Sequence, residues 1–280
     1  MATREALALA GDIAWTPLFG GRTNAAWLGQ TTAGDLVAKL YSGAALNPLF
    51  PNDPNAESVL LQALSHTGHT PVFRAQLTTE AGVCNLYDHI PGETWQDGVS
   101  DVARLMRTLH DQPCPDGLRT APDGAAALAS QALDILSKCD TSGDLLTVQP
   151  AHGPSGSGAR CLLHSDIVPG NLIRNDNGLH LIDWQCPAVG DPCEDIAIFL
   201  SPAMQHLYRG QVLSGADEAQ FFAAYDAPDI MHRYQALAPF YHWRMAAYCL
   251  WQMQNGRADY AKGLALERAA LQRSESSKPT

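Results

Sequence analysis

The chain has 280 residues, 46% of them hydrophobic, and carries 29 Asp and Glu against 18 Lys and Arg, a formal net charge of -11. That apolar content suits one large domain or two lobes around a cleft, and it excludes a disordered or fibrous chain. The negative field repels nucleic acid and anionic membrane surfaces, so neither is expected as a partner, and it gathers cations near clefts.

The N-terminal run MATREALALAGD is too short and too weakly apolar for a secretory signal, and no stretch is long enough to span a bilayer. Alternating segments at 13–18, 25–28 and 36–41 follow, separated by Gly-rich turns at Gly20-Gly21 and Ala33-Gly34, and they read as strands. After a Pro/Asn loop at 47–55, Val59, Leu60, Ala63 and Leu64 predict a helix over 56–65. Runs at 72–77 and 83–90 read as two more strands before Pro91-Gly92 breaks the chain. Beyond it the pattern turns helical, beginning with Val102, Leu105, Met106 and Leu109 on one face of a helix ending at His110. The stretch from Gly153 to Ala159 is a flexible loop by composition, and the tail after about residue 272 is expected to be disordered. Seven scattered cysteines without a CxxC pair read as reduced thiols, which points to the cytoplasm.

The chemistry concentrates in the stretch CLLHSDIVPGNLIRNDNGLHLIDWQCPAVGDPCEDIAIFL, residues 161–200. Asn177-Gly178 between two apolar runs is a strong hairpin signal. Folding the chain back there brings Asn171 and Asp183 opposite each other at the open end, with Asp166 on the loop feeding it. Oxygen donors of this kind suit a hard cation such as Mg²⁺, usually completed by substrate phosphates. Phosphoryl transfer needs such metal ions and a carboxylate that orients the attacking hydroxyl. Asp183 and Asn171 are therefore the expected metal ligands and Asp166 the base.

A lone HxD pair is common by chance. The string HxDxxxxN, followed by an apolar-apolar-Asp-Trp, then Gly190-Asp-Pro and Asp195-Ile-Ala, is far more specific. It resembles the aminoglycoside phosphotransferase and choline kinase superfamily, whose fold is protein-kinase-like, and looks closest to the bacterial choline/thiamine kinase-like branch. The resemblance implies an α+β chain of two lobes: a small antiparallel sheet with one helix over 1–89, and a larger, mainly helical lobe over 90–280. It implies ATP and Mg²⁺ as cofactors, a small-molecule substrate, and no protein partner.

Residue by residue, PLFGGRTN from Pro17 is similar to the family's nucleotide loop, with Gly20, Gly21, Thr23 and Asn24 facing phosphates. Lys39 in LVAKLY matches the phosphate-binding lysine, and Glu57 would hold its ammonium. NLYDHIPG resembles the hinge, where Asp88 and Ile90 would meet adenine through backbone atoms. Leu105-Met-Arg-Thr-Leu-His110 matches the helix that supports the catalytic loop. Asp195 and His164 are expected to brace that loop rather than react, and His110 to pack in the core.

Trp184, Tyr241, Trp243 and Trp251 admit two readings, as packed helix faces or as an aromatic wall for a cationic substrate. The implied function is ATP-dependent phosphorylation of a hydroxyl on choline or a related amino alcohol. The alternatives are thiamine kinase, aminoglycoside phosphotransferase, a nucleotide-binding pseudokinase, and a metal phosphohydrolase built on His152, His164, Asp166, His180 and Asp183.

Overall fold

The alternating N-terminal segments form a sheet in the computed structural model, which describes residues 13–18, 23–43 and 47–276. Strands β1 (Ala14–Leu18), β2 (Ala25–Gln30), β3 (Leu36–Tyr41), β4 (Phe73–Thr79) and β5 (Gly82–Asp88) pair antiparallel in the order β1-β2-β3-β5-β4. The central strand β3 is the most buried, and Lys39 on it stands across from Ala26 of β2 and Asn85 of β5. The β4–β5 turn requires glycine: Gly82 has φ 130°, and a Cβ there would sit 2.1 Å from the Tyr41 carbonyl oxygen. Helix α1 (Pro54–Ala63) starts earlier than its apolar periodicity predicts. Asp53 caps it by accepting from the Asn55 and Ala56 N–H groups, and Pro54 is pre-set for the first helical position.

Past Pro91-Gly92 the chain is largely helical, as its periodicity predicts. Helix α2 (Val99–His110), strand β6 (Arg119–Thr120), helix α3 (Ala125–Leu136) and strand β7 (Cys161–Leu163) precede the hairpin of β8 (Leu172–Asn175) and β9 (Gly178–Leu181). Strand β10 (Ala188–Gly190) then pairs parallel with β6 and antiparallel with β7. Helices α4 (Cys193–Leu200), α5 (Pro202–Arg209), α6 (Gly215–Tyr225), α7 (Pro228–Gln254) and α8 (Ala261–Ser276) complete the described chain. Of the tail expected to be disordered after about residue 272, residues 277–280 lie outside the described residues. Buried Ala270 and Leu271 anchor the last turns of α8, which stays helical through Ser276.

The chain divides into two compact units, one running to Glu93 and including Ile173–Cys186, the other made of Thr94–Leu172 and the residues from Pro187 on. A single crossing at 89/90 was expected from sequence. The 173–186 segment belongs instead with the first unit, where its backbone and the Asn175 side chain find partners. The Leu181 N–H donates to the His69 carbonyl at 2.8 Å, the Asn175 amide to the Pro91 carbonyl at 2.9 Å, and the Asp53 N–H to the Gln185 carbonyl at 2.8 Å. Burying those groups without partners would cost free energy, so they hold the hairpin in place.

In the second unit every residue of α4 is buried, and the long helix α7 packs against α3, α4 and α8. Arg244 of α7 is 1% exposed; its guanidinium donates to both Glu194 oxygens at 2.7 and 3.0 Å and to Gln131 at 2.8 Å, joining three helices. No helix among the described residues is long and apolar enough to cross a membrane. Because breaking a buried ion pair from one side strands the other charge, Arg244→Ala should lower unfolding free energy by about 3–5 kcal/mol. The double change Arg244→Met with Glu194→Leu should recover most of that loss in urea denaturation.

Candidate active site

Two groups of polar residues stand out, one in each unit. In the first, Lys39 lies in the central strand β3 and its side chain is 5% exposed. It donates to Glu57 Oε1 at 2.7 Å and also to Asp183 Oδ1. Glu57 is 1% exposed and accepts two further hydrogen bonds on Oε2, from the Tyr41 hydroxyl at 2.6 Å and the Asn85 amide at 2.8 Å. Burial alone would push the Lys39 ammonium toward its neutral form. The Asp183 and Glu57 carboxylates outweigh that effect and hold its pKa well above the ordinary lysine range. Tyr41 moves up as well, first through burial and then through the adjacent Glu57 charge.

Tyr41 and Asn85 were not singled out in the sequence. Tyr41 was legible, since it lies two residues from Lys39 on one strand and so shares its face. Asn85 was not, because only the β3–β5 register places it opposite Lys39.

Asp183 follows β9 with φ 64°, a left-handed conformation that asparagine and aspartate tolerate better than most residues. Its side chain is 31% exposed, and its second oxygen has no hydrogen-bond donor among the described residues. Next to it, the Trp184 indole N–H donates to the Leu181 carbonyl at 3.0 Å. Of the expected nucleotide-loop residues, Gly20 and Gly21 lie outside the described residues, and Thr23 is half-buried just before β2. The Asn24 amide donates to Asn52 at 2.8 Å and to Gln185 at 2.9 Å. In the segment expected to be the hinge, Asp88 accepts both arms of Arg74 at 2.6 and 2.7 Å. Its N–H is bonded to Val72 O and that of His89 to Asp35 O, whereas the Ile90 N–H has no partner among the described residues.

In the second unit the loop after β7 is held by its backbone. Asp195, fully buried in the first turn of α4, accepts the N–H of His164 at 2.9 Å and of Ser165 at 2.7 Å. His110 of α2 also bonds Asp195 at 3.1 Å, and its other nitrogen meets the Tyr225 hydroxyl at 2.8 Å. Ser165 takes φ 63°, which turns the chain sharply ahead of Asp166. The Asp166 N–H donates to His164 Nδ1 at 3.2 Å, so His164 fixes the loop. Asn171 ends a 3-10 turn and its amide nitrogen donates to the Asp166 carbonyl at 2.9 Å and to Asp166 Oδ2 at 3.2 Å. That leaves the Asn171 amide oxygen with no donor among the described residues.

Taken separately, the unengaged carboxylate oxygen of Asp183 and the unengaged amide oxygen of Asn171 are each a hard donor of the kind Mg²⁺ takes. Among the described residues no three His, Cys, Asp or Glu side chains gather as a metal site.

Three of the four rings of the expected aromatic wall are buried. Trp184 and Trp243 are 1% and 0% exposed, and the Trp243 indole N–H is bonded to the Leu145 carbonyl at 2.7 Å. Tyr241 is buried against Tyr234 and already carries the Arg244 guanidinium 5.1 Å from its ring centre. Trp251, half-buried, stacks on Tyr248. Trp184, Tyr241 and Trp243 are thus packed within their own units, whereas Trp251 stays partly exposed.

A small antiparallel sheet with one helix, joined to a mainly helical remainder, defines a protein-kinase-like fold. The family model for the phosphotransferase enzyme family matches residues 14–237. The chain belongs to that family and is a phosphotransferase. It is similar in structure to the choline kinase LicA from Streptococcus pneumoniae (TM-score 0.69, 18% identity, covering 99% of this chain and 98% of that one). It is similarly related to a putative aminoglycoside phosphotransferase from Ralstonia eutropha (TM-score 0.71, 14% identity, 99% and 98%). A third likeness is to an aminoglycoside phosphotransferase from Streptomyces rimosus in complex with ADP and streptomycin (TM-score 0.55, 18% identity, 86% and 99%). No curated protein matches the chain by sequence.

The raised Lys39 pKa fixes a pH dependence. Lys39 contributes stability that is fully present below its unfolded pKa of about 10.4 and is lost only as pH rises through the still higher folded value. The stability difference between wild type and Lys39→Met should therefore stay flat from about pH 6 to 9. Urea melts at three pH values check it, and a difference that shrinks within that window would contradict the charged pairing.

Proposed function

We propose that this phosphotransferase moves the γ-phosphoryl group of ATP to a hydroxyl of a small cationic metabolite, with choline or a related amino alcohol as the first candidate. The observation that carries the reading is the buried Lys39 ammonium, held charged between Glu57 and Asp183. A buried cation that keeps its charge suits a polyanionic phosphate chain. ADP in the Streptomyces rimosus structure supports a nucleotide donor. The net charge of -11 and the choline kinase among the similar structures favour a cationic acceptor.

In this reading Lys39 contacts the nucleotide phosphates while Glu57, itself fixed by Tyr41 and Asn85, keeps the ammonium aimed. Asp183 and Asn171 would hold Mg²⁺, which neutralises phosphate charge when bound. Asp166 orients the acceptor hydroxyl and takes its proton as the oxygen attacks the γ-phosphorus and the bond to the bridging oxygen breaks, releasing ADP. The Ile90 N–H is the available backbone donor for the adenine edge.

Three variants and a substrate panel test this. Asp166→Asn should keep Mg-ATP affinity and lower turnover by about 10² to 10⁴, the usual range for a lost general base. Asp183→Ala should abolish Mg²⁺-dependent nucleotide binding in calorimetry. Asn171→Ala should be milder, since water can replace a neutral ligand. The panel is choline, ethanolamine, thiamine and aminoglycosides, each assayed for ADP release with Mg-ATP. Turnover confined to an aminoglycoside would replace the amino-alcohol assignment. Thermal stabilisation by ATP without turnover on any acceptor would make the chain a nucleotide-binding pseudokinase.

A further inference from the structure

Three segments distant in sequence meet at one uncharged side chain. Asn24 and Asn52 form a reciprocal amide pair, each Nδ2 donating to the other's Oδ1 at 2.8 Å. Asn24 Nδ2 also donates to Gln185 Oε1 at 2.9 Å. Gln185 is 4% exposed, and its carbonyl accepts the Asp53 N–H at 2.8 Å. Asp53 caps α1 one turn before Glu57, and Gln185 lies two residues past Asp183. The lead-in to β2, the start of α1 and the chain leaving Asp183 are thus joined by four hydrogen bonds.

Asn24 has little left to offer a phosphate. Its nitrogen already donates twice and its oxygen already accepts, so a phosphate contact would first have to break one of these bonds. Gln185, by contrast, sits where it can control Asp183, whose left-handed backbone needs neighbours to hold it. An amide suits that task better than a carboxylate. It has no charge to compete for the Lys39 ammonium or for a metal ion, and its planar group fixes direction through paired donors and acceptors.

We infer that Asn24, Asn52 and Gln185 act as one positioning unit, an amide clasp that sets the orientation of Asp183, rather than as phosphate ligands. The inference rests on the nucleotide-binding reading above. It predicts that the three side chains fail together. Losing any one leaves partly buried amide groups unpaired and frees the Asp183 segment, and losing a second adds little, as expected for residues of one network.

The test is calorimetric affinity for ATP with and without Mg²⁺, on Asn24→Ala, Asn52→Ala, Gln185→Ala and the Asn24→Ala/Gln185→Ala double variant. Each single change should weaken Mg-ATP binding about tenfold, and the double should be no more than about twofold worse than either single. Metal-free ATP affinity should stay within about twofold of wild type, a split that general destabilisation would not produce. Asn52 is half-buried in a loop, so its variant keeps the test alive if Gln185→Ala fails to fold.

Loss of metal-free ATP affinity in Asn24→Ala alone, with Asn52→Ala and Gln185→Ala unaffected, would make Asn24 a phosphate ligand and overturn the clasp. Additive losses in the double variant would overturn it too. A wild-type chain that binds no nucleotide removes the parent reading and the clasp together; wild-type binding with uncoupled variants removes the clasp alone.

Discussion

A charged ammonium inside a protein is costly to desolvate, and much of the first unit is arranged around that cost at Lys39. The lysine sits in the central strand of the sheet, where water cannot reach it, so its charge survives only because two carboxylates face it. Glu57 in turn is satisfied by Tyr41 from the same strand and Asn85 from the next. The register of β3 and β5, the cap that starts α1 before Glu57, and the hairpin that delivers Asp183 all serve one charge balance. Partners differ in how firmly they are held. Glu57 is fully enclosed with three hydrogen bonds, whereas Asp183 is partly exposed and makes one. Glu57 is therefore the fixed partner, and Asp183 the one able to turn toward another cation.

The second unit solves a different problem, which is holding a short loop in an uncommon backbone conformation. Ser165 is left-handed, and two consecutive N–H groups beside it point at a single buried carboxylate, Asp195. The helical bulk behind that carboxylate, including His110, Tyr225 and the fully buried α4, fixes the acceptor and hence the loop. Asp166 and Asn171 then emerge from this frame, which the Asn171 amide closes by donating to the Asp166 carbonyl.

Much of this was legible in the sequence because it is local. The strands of the sheet, the helix after the Pro/Asn loop, the Asn177-Gly178 hairpin and the spacing of His164, Asp166 and Asn171 all follow from periodicity and turn chemistry over short stretches. Features set by long-range register were not legible. Nothing near Asn85 marks it as a partner of Glu57, and nothing near Asn52 or Gln185 marks them as partners of Asn24. The hairpin's membership of the first unit was missed for the same reason, since its anchors are His69, Pro91 and Asp53. The aromatic residues of α7 fit the packing reading, because a helix lined on several sides by Trp, Tyr and Phe is one that neighbours surround.

The account stands on Lys39 being the group that meets the nucleotide phosphates, and its ammonium can be observed directly. The chain holds few lysines, Lys39, Lys138, Lys262 and Lys278, so a lysine-selective ¹⁵N label gives a spectrum that single substitutions can assign. Enclosure also slows proton exchange and makes the Lys39 ammonium the one best suited to detection. Titration with Mg-ADP should shift that signal while those of Lys138 and Lys262 stay in place. Saturable nucleotide binding that leaves the Lys39 signal unmoved would contradict the account, because the phosphates would then be held somewhere else.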